Sequence, residues 1–148
     1  MYRGATSLNL DAKGRLAVPS RHRDAMQAEC AGRLVLTAHP HRCLLLYPQP
    51  AWEPIQAKIM ALSSFDQRSS AMQRLLVGHA EDVDLDSAGR LLVPPVLREL
   101  AGLDKQAMLV GQGSHFELWS MEGWRQQIER VMAAEDMAMP AELDGFSL

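Results

Sequence analysis

Two short clusters in this sequence combine a carboxylate, a glycine and an arginine at the same spacing. They are Asp11, Gly14 and Arg15, and later in the chain Asp86, Gly89 and Arg90. A positioned carboxylate can transfer protons, and a pair of carboxylates can support acid–base catalysis. An arginine can instead bind phosphate, or hydrogen-bond the O6 and N7 atoms of guanine. The residue types therefore indicate two different chemistries. The secondary structure that positions these residues determines which of the two is possible.

Both clusters lie inside a longer internal repeat. Residues 10–19 and 85–94 each read Leu-Asp-x-x-Gly-Arg-Leu-x-Val-Pro. Downstream, Tyr47 with Trp52 is echoed by Trp119 with Trp124. Two copies of one supersecondary unit in a single chain predict an internal pseudo-dimer.

Each copy predicts a β-hairpin followed by helical and extended segments, which together indicate an α+β fold. In the first copy, apolar residues alternate on both sides of the segment 11–14; they are Leu8, Leu10, Leu16 and Val18. Aspartate can accept hydrogen bonds from turn amides, and glycine adopts positive φ without steric cost. We expect Ser20 and Ser120 to cap helices, and a further helix over 69–77 to link the two halves.

Length and composition indicate a globular protein without membrane contact. The chain has 148 residues, of which 47% are hydrophobic, which is enough to bury a core. No apolar run is long enough to span a bilayer, and the N-terminus lacks the apolar stretch of a secretory signal. We therefore expect a cytoplasmic location. The two cysteines, Cys30 and Cys43, are predicted to be buried in the core as free thiols.

Charge is distributed unevenly along the chain. The net charge of −3 alone argues against a nucleic-acid partner. Residues 1–23, however, contain one carboxylate, Asp11, and five cations. The cations are Arg3, Lys13, Arg15, Arg21 and Arg23. The second copy is more acidic, and the segment beyond Met137 is predicted to be a loosely held acidic tail. A surface that meets a polyanion is therefore expected in the first copy.

The doubled motif resembles the SpoVT-AbrB superfamily of swapped-hairpin DNA-binding domains. Within it, Arg3-Gly4-Ala5, Leu44-Leu45-Leu46-Tyr47-Pro48 and Gly89-Arg90-Leu91-Leu92-Val93-Pro94 are similar to the MraZ family. The resemblance implies two pseudo-repeated units whose hairpins interleave into a β-barrel core with flanking helices. It divides the chain into repeat 1 (5–52), a helical linker (53–80), repeat 2 (81–124), and a C-terminal helix with an acidic tail (125–148).

The resemblance also implies a function. Members of this family act as homo-oligomeric rings that regulate transcription, and repression is the expected effect. They bind short direct repeats in double-stranded DNA, upstream of the bacterial division and cell-wall gene cluster. This places the protein in the cytoplasm at the nucleoid, with no catalytic step, cofactor or metal.

Carried over residue by residue, the DNA-contacting element is the first hairpin turn with Lys13 and Arg15. The second turn holds Arg90, but Ala88 stands where Lys13 stands in the first and removes a cation. Additional phosphate contacts are expected from Arg3, Arg21 and Arg23. In the structural alternative, Arg15 and Arg90 pair with the aspartates of their own turns and only hold those turns in shape.

Three other interpretations follow from the residues. Cys30, His39, His41 and Cys43 could form a metal site, although Pro40 interrupts the segment and the spacing matches no established zinc pattern, so an ordinary loop is favoured. Asp11 and Asp86 could form an acid pair, although no nucleophile or phosphate loop accompanies them. An antitoxin-like or scaffold module that binds other proteins through an AbrB-like barrel is the alternative function.

Overall fold

The computed structural model describes residues 1–134, 140–143 and 145. The first part of the chain contains β1 (Ala5–Asn9), β2 (Arg15–Ala17), α1 (Ser20–Cys30), β3 (Arg33–Ala38), β4 (Leu44–Pro48) and α2 (Gln49–Met60). Next come α3 (Gln67–Met72) and a π-helical segment (Gln73–Val77). The chain continues with β5 (Glu81–Asp84), β6 (Arg90–Leu92), α4 (Pro95–Leu100), β7 (Gln106–Gly111), β8 (Phe116–Ser120) and α5 (Met121–Ala133). The predicted α+β fold class is confirmed.

Six strands form one antiparallel sheet in the order β1-β7-β8-β4-β3-β5. This order is unchanged when the two repeats are exchanged, because β1 corresponds to β5, β7 to β3 and β8 to β4. Leu8 lies opposite Ala107, and its repeat equivalent Val83 lies opposite Leu34. Each repeat therefore supplies an edge strand to the other, which is the hairpin exchange that the family resemblance implies.

The strands β2 and β6 form a separate two-stranded antiparallel ribbon. At its centre Leu16 lies opposite Leu91, and both side chains are buried in the core. The described strands do not form a closed barrel. The two strands of each hairpin separate, so that one joins the sheet and the other joins the ribbon. In the first hairpin an isolated bridge between Leu10 and Leu16 still connects them. The sheet therefore ends at β1 and β5 instead of closing on itself.

One hydrophobic core is shared by the two repeats. Its largest fully buried side chains are Leu16, Met26, Leu34, Leu36, Leu44, Leu46, Leu91, Val93, Leu97, Leu109, Phe116 and Leu118. Burying a leucine or phenylalanine side chain contributes roughly 1.5–3 kcal/mol, so both halves stabilise the same interior. Cys30 and Cys43 are buried free thiols, as predicted.

The helix caps agree with the sequence in one repeat and differ in the other. Ser120 accepts a hydrogen bond from the backbone N–H of Gly123 at 2.9 Å and caps α5, as predicted. The predicted cap at Ser20 is wrong. Pro19 occupies the N-cap position of α1, and Ser20 is already the first helical residue. Proline sets φ for the chain entering the helix, so the turn forms without a side-chain cap.

The predicted linker helix is present, and it packs onto the sheet. Gln73 donates to the carbonyls of Ile59 and Leu62, and the buried Thr37 hydroxyl donates to the Leu76 carbonyl at 2.5 Å. Much of the predicted tail beyond Met137 lies outside the described residues. None of the described helices combines the length and the apolarity needed to cross a bilayer.

Candidate nucleic-acid interface

The first hairpin turn is organised around the carboxylate of Asp11. Its Oδ1 accepts the backbone N–H groups of Lys13 at 2.9 Å and Arg15 at 3.0 Å, and its Oδ2 accepts Nε–H of Arg15 at 2.7 Å. Gly14 closes the turn with φ of 85°, a left-handed conformation that side chains rarely adopt. The Asp-x-x-Gly-Arg motif therefore has a local structural cause.

The second turn repeats this geometry. Oδ1 of Asp86 accepts the N–H groups of Ala88 at 2.9 Å and Arg90 at 2.8 Å, and Oδ2 accepts Nε–H of Arg90 at 2.9 Å. Gly89 has φ of 74°. The pairing of each arginine with the aspartate of its own turn is thus confirmed for both repeats.

This pairing leaves the arginine side chains partly open to solvent. The Arg15 side chain is 32% exposed and that of Arg90 is 38% exposed. Each guanidinium is attached to its turn through Nε, and its two Nη groups have no recorded hydrogen bond to the residues that the structure describes. An arginine held in this way has a fixed orientation and still presents donors outward, so holding the turn and binding a ligand are compatible.

Hydrogen bonds to the charged carboxylates lower their pKa values. The pKa of Asp11 falls from 3.8 to about 2, first because the Arg15 N–H donates to it and then through the Arg15 side chain and the Lys13 N–H. The pKa of Asp86 is lowered for the same reason, with the Arg90 N–H as the main cause. A carboxylate with so low a pKa is a poor proton donor or acceptor near neutral pH.

The two arginines share one face of the β2–β6 ribbon. Arg15 lies opposite Leu92, and Ala17 lies opposite Arg90. Leu16 and Leu91 alternate with these residues and point into the core, so the four face outward. Arg15 and Arg90 are diagonal neighbours on the two strands, a relationship that separates such residues by roughly 7–8 Å. A two-stranded ribbon of this kind has the dimensions to enter the major groove of DNA.

Known proteins resemble the whole chain. The sequence model of the MraZ protein family, described as antitoxin-like, matches residues 1–75 and again residues 76–146. Proteins named transcriptional regulator MraZ are 76% identical in Methylobacillus flagellatus, 55% in Nitrosospira multiformis and 52% in Thiobacillus denitrificans. Each of these alignments spans 148 residues and covers 100% of both chains. This chain belongs to the MraZ family.

The MraZ family comprises transcriptional regulators and is not a family of enzymes. This agrees with the geometry of Asp11 and Asp86, each of which is occupied by the amides and the arginine of its own turn. The catalytic acid pair, which the sequence offered only as a disfavoured alternative, therefore finds no support in this geometry.

The remaining arginines predicted to contact phosphate fall into two places. Arg23 lies against the second turn, where its Nη1 donates to the Ala88 carbonyl at 3.2 Å. Arg21 lies near Gly4, since a Cβ added to Gly4 would stand 2.9 Å from Arg21 Nη2. Arg3 is at the same end of β1, separated from the first turn by five strand residues at roughly 3.4 Å each. Arg21 therefore lies beside Gly4, the chain neighbour of Arg3, at the end of β1 that is far from Lys13 and Arg15.

Arg98 is a cation beside the first turn that lies outside the repeated motif. It is the repeat equivalent of Arg23, and its guanidinium lies over Gly14, where an added Cβ would stand 2.6 Å from Arg98 Cζ. The available signal was the repeat itself, which places Arg98 in the second copy where Arg23 stands in the first.

The histidines between β3 and β4 belong to a loop. The His41 N–H donates to Nδ1 of His39 at 3.0 Å, and Arg42 has φ of 66°. Within residues 1–134, 140–143 and 145, no group of three or more His, Cys, Asp or Glu side chains is placed to hold a metal ion.

Proposed function

We propose that this chain regulates transcription by binding double-stranded DNA through the outer face of the β2–β6 ribbon and the first turn. The observation that carries the proposal is the attachment of Arg15 Nε to Asp11, which orients an outward guanidinium. Such a group can donate two parallel hydrogen bonds to O6 and N7 of guanine. Lys13, exposed at the tip of the turn, would contact phosphate.

Arg90 lies on the same face and would extend the contact, but the second turn has Ala88 in place of Lys13. In this proposal the first turn recognises sequence and Arg90 supports it. Arg23 would act by holding the second turn through its bond to the Ala88 carbonyl. Arg3 and Arg21 would contact phosphate only where DNA extends past the far end of β1.

Few cations per subunit give weak binding, because the salt-dependent part of affinity grows with the number of phosphates neutralised. A homo-oligomeric ring would present several copies of the first turn and raise the effective concentration at neighbouring sites. Exposed apolar residues on α5 offer a surface for such assembly, with Val131 51% and Met132 81% exposed. Short direct repeats upstream of the division and cell-wall gene cluster would be the matching operator, and occupancy there would repress transcription at the nucleoid.

The first experiment measures the mass of the assembly with and without duplex DNA carrying tandem sites from that region. A closed oligomer whose mass increases with tandem sites, and less with a single site, is the expected result. A monomer that ignores DNA would contradict the proposal and favour the antitoxin-like alternative, in which the chain binds another protein.

The second experiment compares Arg15→Ala and Lys13→Ala in a gel shift over a range of salt. Arg15→Ala should weaken specific binding by roughly 1–3 kcal/mol, and Lys13→Ala should reduce the salt dependence. Arg68→Ala, at an exposed position on α3, is the matched control. If Arg15→Ala binds like the parent while its assembly is intact, the first turn does not recognise DNA.

A further inference from the structure

The exchange of hairpins brings cations of the second repeat to the first turn. The guanidinium of Arg98 on α4 lies over Gly14. Lys105 precedes β7, and its carbonyl accepts the N–H of Leu10 at 2.8 Å, so its backbone is fixed beside the entrance to the turn. Arg98, Lys105 and the turn line one open cavity of about 630 Å³. Arg15 and this cavity lie at the same end of the ribbon.

The equivalent place beside the second turn is different. Arg23 corresponds to Arg98, but its Nη1 donates to the Ala88 carbonyl at 3.2 Å. Gly32 corresponds to Lys105, since its carbonyl accepts the N–H of Leu85 at 3.0 Å, and it has no side chain. The second turn therefore lacks one of the two cations, and the arginine that remains already donates to the protein.

Arg98 has unused hydrogen-bonding capacity. Its Nε is buried and has no partner among the described residues, and no hydrogen bond of its side chain to those residues is recorded. An unpaired guanidinium donor is costly, and a phosphate is the acceptor that such a group binds well. Two carboxylates also line the cavity. Asp11 is already paired with Arg15, whereas Asp104 is exposed and opposes an anion.

We propose that Arg98 and Lys105 form a phosphate-binding site beside the first turn, which the second turn lacks. The bound group would be a phosphate of the DNA backbone or a free phosphate. If the phosphate belongs to DNA, this inference rests on the proposed function. It then adds two residues of the second repeat to the DNA contact that is predicted for the first repeat.

The first arm of the test uses inorganic phosphate and the full chain. The ³¹P line width of phosphate is measured at constant ionic strength with the parent protein, Arg98→Gln, Lys105→Gln and Asp104→Asn. We expect broadening by the parent, less broadening with the first two variants and more with the third. Arg68→Gln, at an exposed position on α3, is the control and should broaden the line as the parent does.

The second arm measures the salt dependence of binding to duplex DNA. Lys105→Gln should lower the slope of log K against log salt by about 0.9 for each DNA-bound subunit, while Arg68→Gln on α3 keeps the parent slope. If the variants alter the salt dependence of DNA binding but not the phosphate line width, the bound phosphate belongs to the DNA backbone. If they alter only the phosphate line width, the ligand is free phosphate.

The inference is overturned if Arg98→Gln and Lys105→Gln match the parent in both arms. If that happens while Arg15→Ala loses DNA binding, the proposed function stands without this site. If the parent does not bind DNA, but the phosphate line is broadened by the parent and not by Arg98→Gln, the site stands and the proposed function fails. Should Arg98→Gln not fold, Lys105→Gln decides the result, because its side chain is exposed.

Discussion

Leu16 and Leu91 face each other at the centre of the two-stranded ribbon, at the point about which the two repeats are related. Each is 1% exposed. Because side chains alternate along a strand, the burial of this pair turns Arg15 and Arg90 toward solvent. The apolar contact between the repeats thus sets the direction of both arginines.

Leu16→Ala should lower the free energy of unfolding by roughly 2–5 kcal/mol, since it removes a fully buried side chain shared by both repeats. Leu91→Ala should have a similar effect, and the double variant should deviate from the sum because the two side chains are in contact. Urea denaturation followed by tryptophan fluorescence measures all three. Additive effects would show that the two leucines do not interact energetically.

Gly14→Ala should destabilise the protein more than Gly102→Ala. Both glycines have positive φ, 85° and 63°, so both variants carry a backbone strain of roughly 1–2 kcal/mol. A Cβ at Gly14 also meets the Arg98 guanidinium, whereas at Gly102 it meets nothing within 4 Å. Thermal unfolding checks the difference, and adding Arg98→Ala to Gly14→Ala should recover part of the loss. Equal effects of the two single variants would contradict the close contact.

The carboxyl group of Asp11 should titrate with a midpoint near pH 2, below its ordinary value of 3.8. Because the folded pKa is the lower one, the stabilisation by this carboxylate is present above about pH 4 and is lost as the pH falls through 2. Carbon-13 NMR of the side-chain carboxyl measures the midpoint. In Arg15→Ala the midpoint should rise only in part, since the backbone N–H groups of residues 13 and 15 still donate. A return to 3.8 would show that the guanidinium alone controls the pKa.

Cys43 should resist thiol reagents in the folded protein. Burial, followed by the nearby Glu117 carboxylate, raises the pKa of its thiol to about 12, so the thiolate is scarce at pH 8. We expect Ellman's reagent to react with Cys43 at the rate of unfolding, and Cys30→Ala isolates its signal. Rapid reaction of the native Cys30→Ala variant would contradict this burial.

Local chemistry made the turns predictable from sequence. Asp-x-x-Gly-Arg specifies hydrogen bonds between residues at most four positions apart, and all of them are present in both copies. The buried cysteines and the Ser120 cap follow from similarly local preferences. The division of the chain at residues 52, 80 and 124 stays a prediction.

Which strand pairs with which could not be predicted in the same way. Alternating apolar residues show that a strand has a buried face, but they do not show which strand lies beside it. The pairing of β1 with β7 depends on residues about a hundred positions apart. The repeat marks Arg98 as the equivalent of Arg23, but only the exchanged topology places Arg98 and Lys105 beside the first turn.

A symmetric homodimer of single units must carry two identical turns, because both come from the same gene segment. Joining the units into one polypeptide removes that restriction while the interlocked strands keep the architecture. Ala88 and Gly32 can therefore stand where the other half has Lys13 and Lys105. Under the proposed function, covalent fusion allows one end of the ribbon to gain cations for ligand contact while the other end keeps the turn geometry with fewer of them.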